Sequence, residues 1–580
     1  MKKTFKRLGA VLLAAFMLLS TTICALADDN TQTGTPTTSK ITLNVSNIAD
    51  GDTVYAYKLV SYNEPDFNSY TFNDSFKSYI TTEKKQSDVQ AYLAGLDAEG
   101  VNELLEGYAT ACKTGKAYQL PEPSAKTTAT SSNAASLQLD AGYYLLLTET
   151  TSKNNYIYTP LSAFVKMDGD DLVVYAGASN TALTPQQGAY TVSAKSATGP
   201  KIDKKTNATK GSEEATWKEN AVAGVGDTVR FYVQVDIPKY TDGTKLNLTV
   251  NDTLTNLEYK PNSAKVYRNV PNPKGDNSSQ TAITGAIKNT DIAGDYTVNN
   301  STDTVNNSTG TQKLKFELNY EAIMNGTTDA KSVYVYYEAI VKPESVKTIV
   351  KQPAAKNEPQ HGGTNVASLT YSNASTPDSM HETDKVTTKV FNYYLKFSKK
   401  KGEKDEGLQG AKFSLYLDQA GTDVIKFVQE TDTADGTVYY RPAAKGESGA
   451  VTEIEADFRI RGLDSNTYYI KETKTPAGYY APSGLFEIKL ISKLENDHYT
   501  GKLDAETSKM TALNEKDKNL ILNSGVDPST PHEIAAGLKN FSTPDLPTTG
   551  GIGTVLLSIG GVVLMAAGAY LIFFRKKKEN

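Results

Sequence analysis

Cysteine is almost absent from this chain. Its 580 residues include 2 cysteines, and one of them, Cys24, lies in a leader that we expect to be removed. Cys112 would then be the only cysteine of the exported protein, so no intramolecular disulfide can form. Exported proteins often use disulfides as covalent staples. Their absence indicates either large ordinary cores or some other covalent link.

Histidine and catalytic motifs are also scarce. The chain has 4 histidines, and neither an H-E-x-x-H nor a G-x-S-x-G pattern occurs, which argues against a wall-anchored hydrolase. The formal net charge of −5 provides no basic stripe, so we expect no nucleic-acid partner. We expect neither a cofactor nor a metal site.

The N-terminus has the three parts of a secretory signal peptide. Basic residues precede an apolar stretch from Leu8 to Leu19, and Ala25-Leu26-Ala27 offers small residues for cleavage. We predict a signal peptide over residues 1–27 and a flexible polar lead-in over 28–39. The mature protein is therefore secreted.

The C-terminus combines a short motif, an apolar run and a basic tail. The motif is Leu546-Pro547-Thr548-Thr549-Gly550, the run extends from Gly551 to Phe574, and Arg575-Lys576-Lys577-Lys578 follows. A run of this length can cross a hydrocarbon core of about 30 Å as a transmembrane helix, with the basic cluster on the cytoplasmic side. The motif resembles the LPXTG sorting signal that sortases of Gram-positive bacteria read.

The exported segment is too long for one core, and its pattern favours β-structure. It is rich in tyrosine, with 35 in the chain, and has short alternating apolar runs between turn clusters. We predict an all-β protein of tandem immunoglobulin-like sandwiches forming an elongated rod. The predicted domains are 40–192, 193–390 and 391–543, followed by a sorting segment over 544–580.

A helical insert is expected near 86–113. There Val101, Leu104, Leu105, Tyr108 and Cys112 recur at helical spacing. This spacing predicts that the Cys112 thiol packs in a core. A reactive thiol or a thioester is the alternative.

Three strands of the predicted third domain end their apolar faces with a polar group. Residues two apart in a strand share a face. The three sets are Leu395, Phe397 and Lys399; Tyr468, Ile470 and Glu472; and Ala536, Leu538 and Asn540. One unpaired charge in a core is strongly disfavoured, whereas three such groups together indicate a reaction.

Burial suggests what that reaction is. A buried lysine loses its proton more readily, and a buried carboxyl keeps its own. A neutral amine can then attack an asparagine carboxamide polarised by a protonated glutamic acid. Ammonia leaves and an isopeptide bond remains.

Two segments of this domain resemble the collagen-adhesin B-type domains of Gram-positive pilins. They are residues 408–416, LQGAKFSLY, and residues 469–479, YIKETKTPAGY, the second of which is similar to the family's E-box. The resemblance implies that Lys399 is the nucleophile, Glu472 the catalytic acid and Asn540 the electrophile. Relatives usually have one lysine where this chain has Lys399-Lys400-Lys401, so strand parity decides the nucleophile.

The predicted second domain repeats this pattern with an aspartate. Lys204 shares a face with Ile202, and Asp252 lies on the apolar face of a strand from Leu246. The segment resembles the isopeptide-forming second domain of major pilins, which implies a Lys204–Asn365 bond with Asp252 as the acid. Asn373, on the same face as Asn365, is the competing electrophile. In the first domain a possible trio is Lys58, Glu149 and Asn180.

Lys195 is the candidate for linkage between subunits. Residues 190–196, YTVSAKS, resemble the pilin motif of backbone subunits, with Ala194 where proline is usual. The resemblance implies a sortase-polymerised pilus, or fimbria, whose partners are sortase, identical subunits, accessory pilins and peptidoglycan. A monomeric wall-anchored adhesin, binding a host-surface protein or glycan through the first domain or the 270–312 loop, is the alternative. In either case the chain is not an enzyme, apart from forming its own isopeptide bonds.

Overall fold

A computed structural model gives the architecture. It describes residues 40–62, 70–113, 117–130, 133–151, 153–168, 171–176, 182–208, 216–241, 243–288, 311–347, 362–402, 404, 406–432, 436–522, 524–543 and 552–576. The chain divides into two compact units. The first comprises Met1–Ala221, Asp227–Glu344 and Gly362–Val390, and the second comprises Val222–Gly226, Ser345–His361 and Phe391–Asn580.

The first sandwich is built from strands between Ile41 and Thr198. They are β1 (Ile41–Ser46), β2 (Thr53–Tyr62), β3 (Tyr70–Phe72), β4 (Ala125–Thr128), β5 (Ala134–Leu139), β6 (Gly142–Glu149), β7 (Tyr156–Tyr158), β8 (Leu161–Asp168), β9 (Asp171–Ala176), β10 (Ala189–Ser193) and β11 (Ser196–Thr198). One sheet has the order β10-β1-β5, and the facing sheet has the order β3-β2-β6-β8-β9, with β4 paired to β2. Buried side chains of both sheets form one core. Because β11 pairs with β7, strands of this sandwich continue to Thr198, past the predicted boundary at residue 192.

The segment between β3 and β4 is helical. It contains α1 (Asp74–Glu83), α2 (Val89–Ala94) and α3 (Ala98–Lys113). Helix therefore begins earlier than the predicted insert near 86–113. The reason lies in Phe76, Tyr79 and Ile80, which recur at helical spacing and are buried, and in Asn73, whose side chain caps the first turn.

The second sandwich follows in the same compact unit. Its strands are β12 (Lys201–Asn207), β13 (Asn220–Val222), β14 (Thr228–Ile237), β15 (Leu246–Thr255), β16 (Leu257–Tyr259), β17 (Lys265–Tyr267), β18 (Thr311–Leu318), β19 (Lys331–Val341), β20 (Gly362–Asn373), β21 (His381–Glu382) and β22 (Val386–Phe391). One sheet has the order β12-β14-β19-β16, with β17 paired to β19. The other has the order β13-β22-β20-β15-β18, with β21 paired to β20. A short helix α4 (Tyr320–Met324) follows β18, and a 3-10 turn, Pro343–Val346, follows β19.

The third sandwich lies in the second compact unit. Its strands are β23 (Tyr393–Lys401), β24 (Lys412–Tyr416), β25 (Phe427–Thr431), β26 (Val438–Pro442), β27 (Ile454–Glu455), β28 (Phe458–Leu463), β29 (Asn466–Lys474), β30 (Phe486–Leu490), β31 (Ser492–Glu495), β32 (His498–Leu503), β33 (Met510–Ala512), β34 (Gly525–Val526) and β35 (Glu533–Asn540), with a 3-10 helix over Glu515–Leu520. The two main sheets have the orders β25-β26-β28-β23-β35-β34 and β27-β24-β29-β30-β33. Their inner faces share one core. The prediction of an all-β fold made of sandwiches is confirmed.

The C-terminal segment contains helix α5 (Ile552–Lys576). Among the residues that the structure describes, no helix is both long enough and apolar enough to cross a membrane. Residue 551 and the side chains at both ends of α5 lie outside the described residues. The span predicted over 551–574 therefore stays a prediction.

Candidate functional site

The third sandwich brings Lys399, Glu472 and Asn540 together. Strands β23 and β35 run parallel, with Lys399 opposite Leu538 and Lys401 opposite Asn540. Lys399 and Asn540 therefore point inward from neighbouring strands of one sheet, two positions apart. Glu472 comes from β29 of the facing sheet. Each polar group continues the apolar inward face of its strand.

The three side chains form a closed hydrogen-bonded ring. The Lys399 Nζ donates to Glu472 Oε2 at 2.8 Å and to Asn540 Oδ1 at 2.6 Å. The Asn540 Nδ2 donates to Glu472 Oε1 at 2.9 Å and to Oε2 at 3.1 Å. The amine thus touches the carboxamide, and the carboxyl touches both the amine and the amide nitrogen. This geometry suits attack by the lysine and proton transfer to departing ammonia.

Burial controls the charge of this site. The side chains of Lys399 and Glu472 are fully buried, and the Lys399 Nζ lies 5.6 Å from the centre of the Phe413 ring. Burial lowers the pKa of Lys399 below its usual value, although Glu472 opposes the shift. A larger fraction of the amine is therefore neutral, and only the neutral amine is a nucleophile.

The second sandwich holds a comparable group between its two sheets. The Lys204 Nζ, from β12, donates to Asp252 Oδ2, from β15, at 2.5 Å, and both side chains are fully buried. Burial lowers the pKa of Lys204 and raises the pKa of Asp252, although each partner opposes the other's shift. Both directions favour a neutral amine beside a protonated acid.

Tyr337 is the residue of this site that the sequence analysis missed. Its hydroxyl donates to Asp252 and accepts from Lys204 Nζ at 2.8 Å and from Asn365 Nδ2 at 2.6 Å. It therefore links the amine, the acid and the carboxamide. The sequence contained a signal, because Tyr337 shares the inward face of β19 with Val333 and Val335. A hydroxyl on such a face needs a buried partner.

Asn365 and Asn373 have different surroundings. On β20, Asn365 lies opposite Leu254 and Asn373 opposite Leu246. The Asn365 Oδ1 is buried and has no hydrogen-bond partner. The Asn373 carboxamide donates to the Tyr158 carbonyl at 2.6 Å and accepts from the Ser375 backbone at 3.0 Å. Eight strand positions, or about 26 Å, separate the two asparagines, so Asn373 lies away from Lys204.

In the first sandwich the predicted acid does not meet the predicted lysine. Lys58 Nζ lies 2.7 Å from Asp140 Oδ1, whereas Glu149 lies 3.6 Å from the Nζ of Lys113. The reason is the register of β2 and β6, in which Thr53 opposes Glu149 and Lys58 opposes Tyr144. Asn180, the third member of that predicted trio, lies outside the described residues.

Cys112 lies on α3 and packs against the hydrophobic cluster between the helices and the outer face of β2 and β6. It is partly buried and free. Burial raises the pKa of the thiol to about 11. A thiol with this pKa is almost wholly protonated at neutral pH, which argues against a nucleophilic role.

Lys195 lies between β10 and β11 with an exposed side chain. Its backbone carbonyl accepts a hydrogen bond from the Thr159 N–H at 3.0 Å, which fixes the loop. The residue lines a cleft of about 780 Å³ together with apolar and polar groups that include Leu161, Leu183 and Tyr240. The cleft lies where the first and second sandwiches of the first unit meet. The motif Leu546 to Gly550 falls outside the described residues.

Within the described ranges, no cluster of three or more His, Cys, Asp or Glu side chains could hold a metal ion. The chemistry of the sites described above comes from lysine, carboxyl, hydroxyl and carboxamide groups alone.

Two family models match parts of the chain. Residues 394–507 match the SpaA family, described as a prealbumin-like fold domain. Residues 542–580 match the LPXTG cell wall anchor motif. The C-terminal segment therefore matches a cell-wall anchor, and the prealbumin-like match lies before it in the chain. No curated protein shows significant sequence similarity to the chain.

Solved structures of pilins are similar to this chain at low identity. The T6 backbone pilin of serotype M6 Streptococcus pyogenes is 17% identical with a TM-score of 0.42, and the match covers 90% of this chain and 100% of that one. The full-length major pilin SpaD of Corynebacterium diphtheriae is 15% identical with a TM-score of 0.37, covering 89% and 100%. The major pilin BcpA of Bacillus cereus is 12% identical with a TM-score of 0.35, covering 87% and 99%.

Proposed function

We propose that this protein is the backbone subunit of a sortase-polymerised pilus, linked head-to-tail and finally joined to peptidoglycan, which supports adhesion. The observation that carries the proposal is the presence in one chain of a C-terminal cell-wall anchor and an exposed lysine, Lys195, in a cleft. The anchor supplies the acyl donor of the linkage. The lysine supplies the acceptor.

Polymerisation takes two acyl transfers. A sortase thiolate attacks the Thr549 carbonyl, the Thr549–Gly550 peptide bond breaks, and a thioester forms as the Gly550 amine takes up a proton and leaves with the tail. The Nζ of Lys195 on the next copy then attacks the thioester. An amide between Thr549 and Lys195 forms, the thiolate is released, and the amine loses a proton. Repetition gives a heterologous, head-to-tail fibre.

We propose that the two buried lysines form internal isopeptide bonds. In the third sandwich, the neutral Lys399 Nζ attacks the Cγ of Asn540, and the bond from Cγ to Nδ2 breaks. Glu472 takes a proton from the attacking nitrogen and gives one to the departing nitrogen, so ammonia leaves and the carboxyl is restored. Its contacts of 2.8 Å to the amine and 2.9 Å to the amide nitrogen support this role.

In the second sandwich we assign the same roles to Lys204, Asp252 and Asn365. Tyr337 bridges them and accepts from the Asn365 Nδ2 at 2.6 Å. We propose that it orients the carboxamide and relays a proton from Asp252 to the departing nitrogen. Each site acts once on its own chain, so the protein has no turnover.

These bonds would strengthen a subunit whose described cysteine, Cys112, is free. The Lys399–Asn540 link would close a loop over residues that lie 141 positions apart. By analogy with disulfides, a loop of this length restricts the unfolded chain by about 5 kcal/mol. Unlike a disulfide, an amide cannot be reduced.

The test replaces the acceptor lysine. Lys195→Arg keeps the positive charge but removes the nucleophile, because the guanidinium stays protonated. We expect the high-mass ladder in cell-wall extracts to disappear, while the monomer stays folded and attached to the wall. Lys201→Arg, at a second exposed lysine, is the matched control and should keep the ladder. A ladder that persists in Lys195→Arg would show that another lysine accepts.

A second candidate function is a monomeric adhesin. A polar cleft of about 630 Å³ is lined by residues between 268 and 284, which include the first part of the 270–312 segment, and by Ala322 and Asn325. Its polar groups include Arg268 and Gln280. Amides, hydroxyls and a guanidinium suit a glycan or peptide of the host surface. An unmutated protein that gives no ladder in the presence of its own sortase would favour this function over polymerisation.

A further inference from the structure

Exposed aromatic side chains mark one end of the third sandwich. Tyr480 is 55% exposed and Phe541 is 38% exposed. Ala477 and Ala481, beside Tyr480, are exposed as well. We call these four residues the base patch. Lys539 borders it, with its Nζ 5.5 Å from the centre of the Phe541 ring. Clustered exposed apolar side chains rimmed by polar groups are typical of interaction surfaces.

The base patch is held in place by the backbone. The Tyr480 N–H donates to the Phe541 carbonyl at 3.0 Å, and the Thr543 N–H donates to the Gly478 carbonyl at 2.8 Å. The Phe541 ring covers Gly402 so closely that a methyl group there would lie 2.6 Å from the ring. The aromatic side chains are therefore presented on a fixed surface rather than on a loose tail.

The position of the patch in the chain limits what can cover it. Thr543 is the last described residue before the sorting motif. From Thr543 to Thr549, the residue that is joined to the next subunit, a fully extended chain spans at most about 20 Å. In a fibre, Lys195 of the next copy is therefore held within about 20 Å of Thr543, beside the base patch.

We propose that the base patch is a docking surface for a second copy of this chain, and this proposal rests on the function proposed above. The next copy stays beside the patch for the life of the fibre, whereas sortase leaves after each transfer. Apolar surface gains most from a permanent neighbour, and aromatic anchors contribute much of the energy of such contacts. Docking orients the two copies and seals the joint around the Thr549–Lys195 bond.

The experiment separates donor cleavage from subunit joining. The variant Tyr480→Ser, alone and with Phe541→Ser, is expressed with its own sortase. We expect the ladder to form about tenfold more slowly, a factor that corresponds to about 1.4 kcal/mol. Cleavage at Thr549, measured as wall-attached monomer, should be unchanged. Tyr480→Phe should restore the ladder.

Controls make each outcome decisive. Leu494→Ser changes a side chain of similar exposure, 47%, in the same unit and should leave the ladder unchanged. Loss of the mass of one ammonia at the Lys399–Asn540 site would show that each variant has folded. A normal ladder in the double variant overturns the docking surface, and so does reduced cleavage at Thr549, which would assign the patch to sortase. A ladder that is absent from the unmutated protein, or that survives Lys195→Arg, overturns the proposed function or its acceptor instead.

Discussion

Two lysine–carboxyl pairs, Lys58–Asp140 and Lys204–Asp252, have similar contacts and different surroundings. The Nζ–Oδ distances are 2.7 Å and 2.5 Å, and in each case a tyrosine hydroxyl also donates to the aspartate. In the first pair the aspartate side chain is 44% exposed and the lysine 18%. In the second pair both side chains are fully buried.

This difference reverses the direction in which the pKa of the aspartate shifts. Burial tends to raise the pKa of Asp140, but hydrogen bonds from Lys58 and Tyr144 outweigh it and leave the pKa below its usual value. Burial raises the pKa of Asp252 despite its lysine partner. The first pair is therefore an ordinary ion pair, and the second favours the neutral forms. We therefore propose that burial, rather than residue type or distance, decides which lysine becomes a nucleophile.

The largest expected effect on stability comes from replacing Lys399, a buried lysine beside a carboxyl. Lys399→Ala should prevent the bond to Asn540, restore the mass of one ammonia and lower the free energy of unfolding by about 5 kcal/mol. Glu472→Ala should restore the same mass. Intact mass and denaturant unfolding would measure both. Lys400→Ala, one residue further along β23, is the control and should keep the bond. If Lys399→Ala still lacked the mass of that ammonia relative to its own sequence, Lys399 would be excluded as the nucleophile.

Glu106 tests the comparison at a buried carboxyl outside the two lysine sites. It is fully buried on α3, and burial raises its pKa to about 8, although Ser375 and Lys245 oppose the shift. Between about pH 4.5 and 8 the folded chain keeps a proton that the unfolded chain has lost. Its contribution to stability therefore falls as the pH rises through this window.

The substitution Glu106→Gln should consequently raise the free energy of unfolding by about 4 kcal/mol at pH 8 and change it little at pH 4. Thermal unfolding measured across this range would check the sign. Glu103→Gln, an exposed position on the same helix, should show no such dependence. A gain at pH 4 equal to that at pH 8 would contradict the assignment of the effect to ionisation.

The next prediction tests whether the Tyr337 hydroxyl takes part in the reaction at the buried Lys204 site. Tyr337→Phe removes the hydroxyl that bridges Lys204, Asp252 and Asn365. We expect ammonia to be lost more slowly from the Lys204 site, as measured by intact mass at increasing times after synthesis. We also expect the free energy of unfolding to fall by about 1 to 2 kcal/mol. Tyr336→Phe, the neighbouring residue on the opposite face of β19, is the matched control. Equal rates of ammonia loss in both variants would remove Tyr337 from the reaction.

The smallest effect is expected at the partly exposed pair, Lys58 and Asp140. Lys58→Met should change the free energy of unfolding by less than about 1 kcal/mol, because a solvated ion pair contributes little. The intact mass should change only by the substitution itself. If Lys58→Met also restored the mass of an ammonia, the first sandwich would contain a third crosslink. Burial would then not distinguish the reactive lysines from Lys58.

Strand parity predicted where Lys399, Glu472 and Asn540 point, because a period of two is fixed by the backbone. It did not predict Asp140 or Tyr337. Those residues reach their partners through strand register and through the packing of one sheet on another, and a local pattern contains neither. The pairing of β2 with β6 illustrates this, since its register places Tyr144 rather than Glu149 opposite Lys58. The early start of α1 was readable from Phe76, Tyr79 and Ile80.

The most direct test of the central claim is the intact mass of the purified mature protein. If burial decides which lysines react, the mass should be lower than that of the sequence by two molecules of ammonia. Fragment spectra should join Lys399 to Asn540 and Lys204 to Asn365. A mass equal to that of the sequence would contradict the claim, and so would a crosslink at Lys58 in place of one at Lys204.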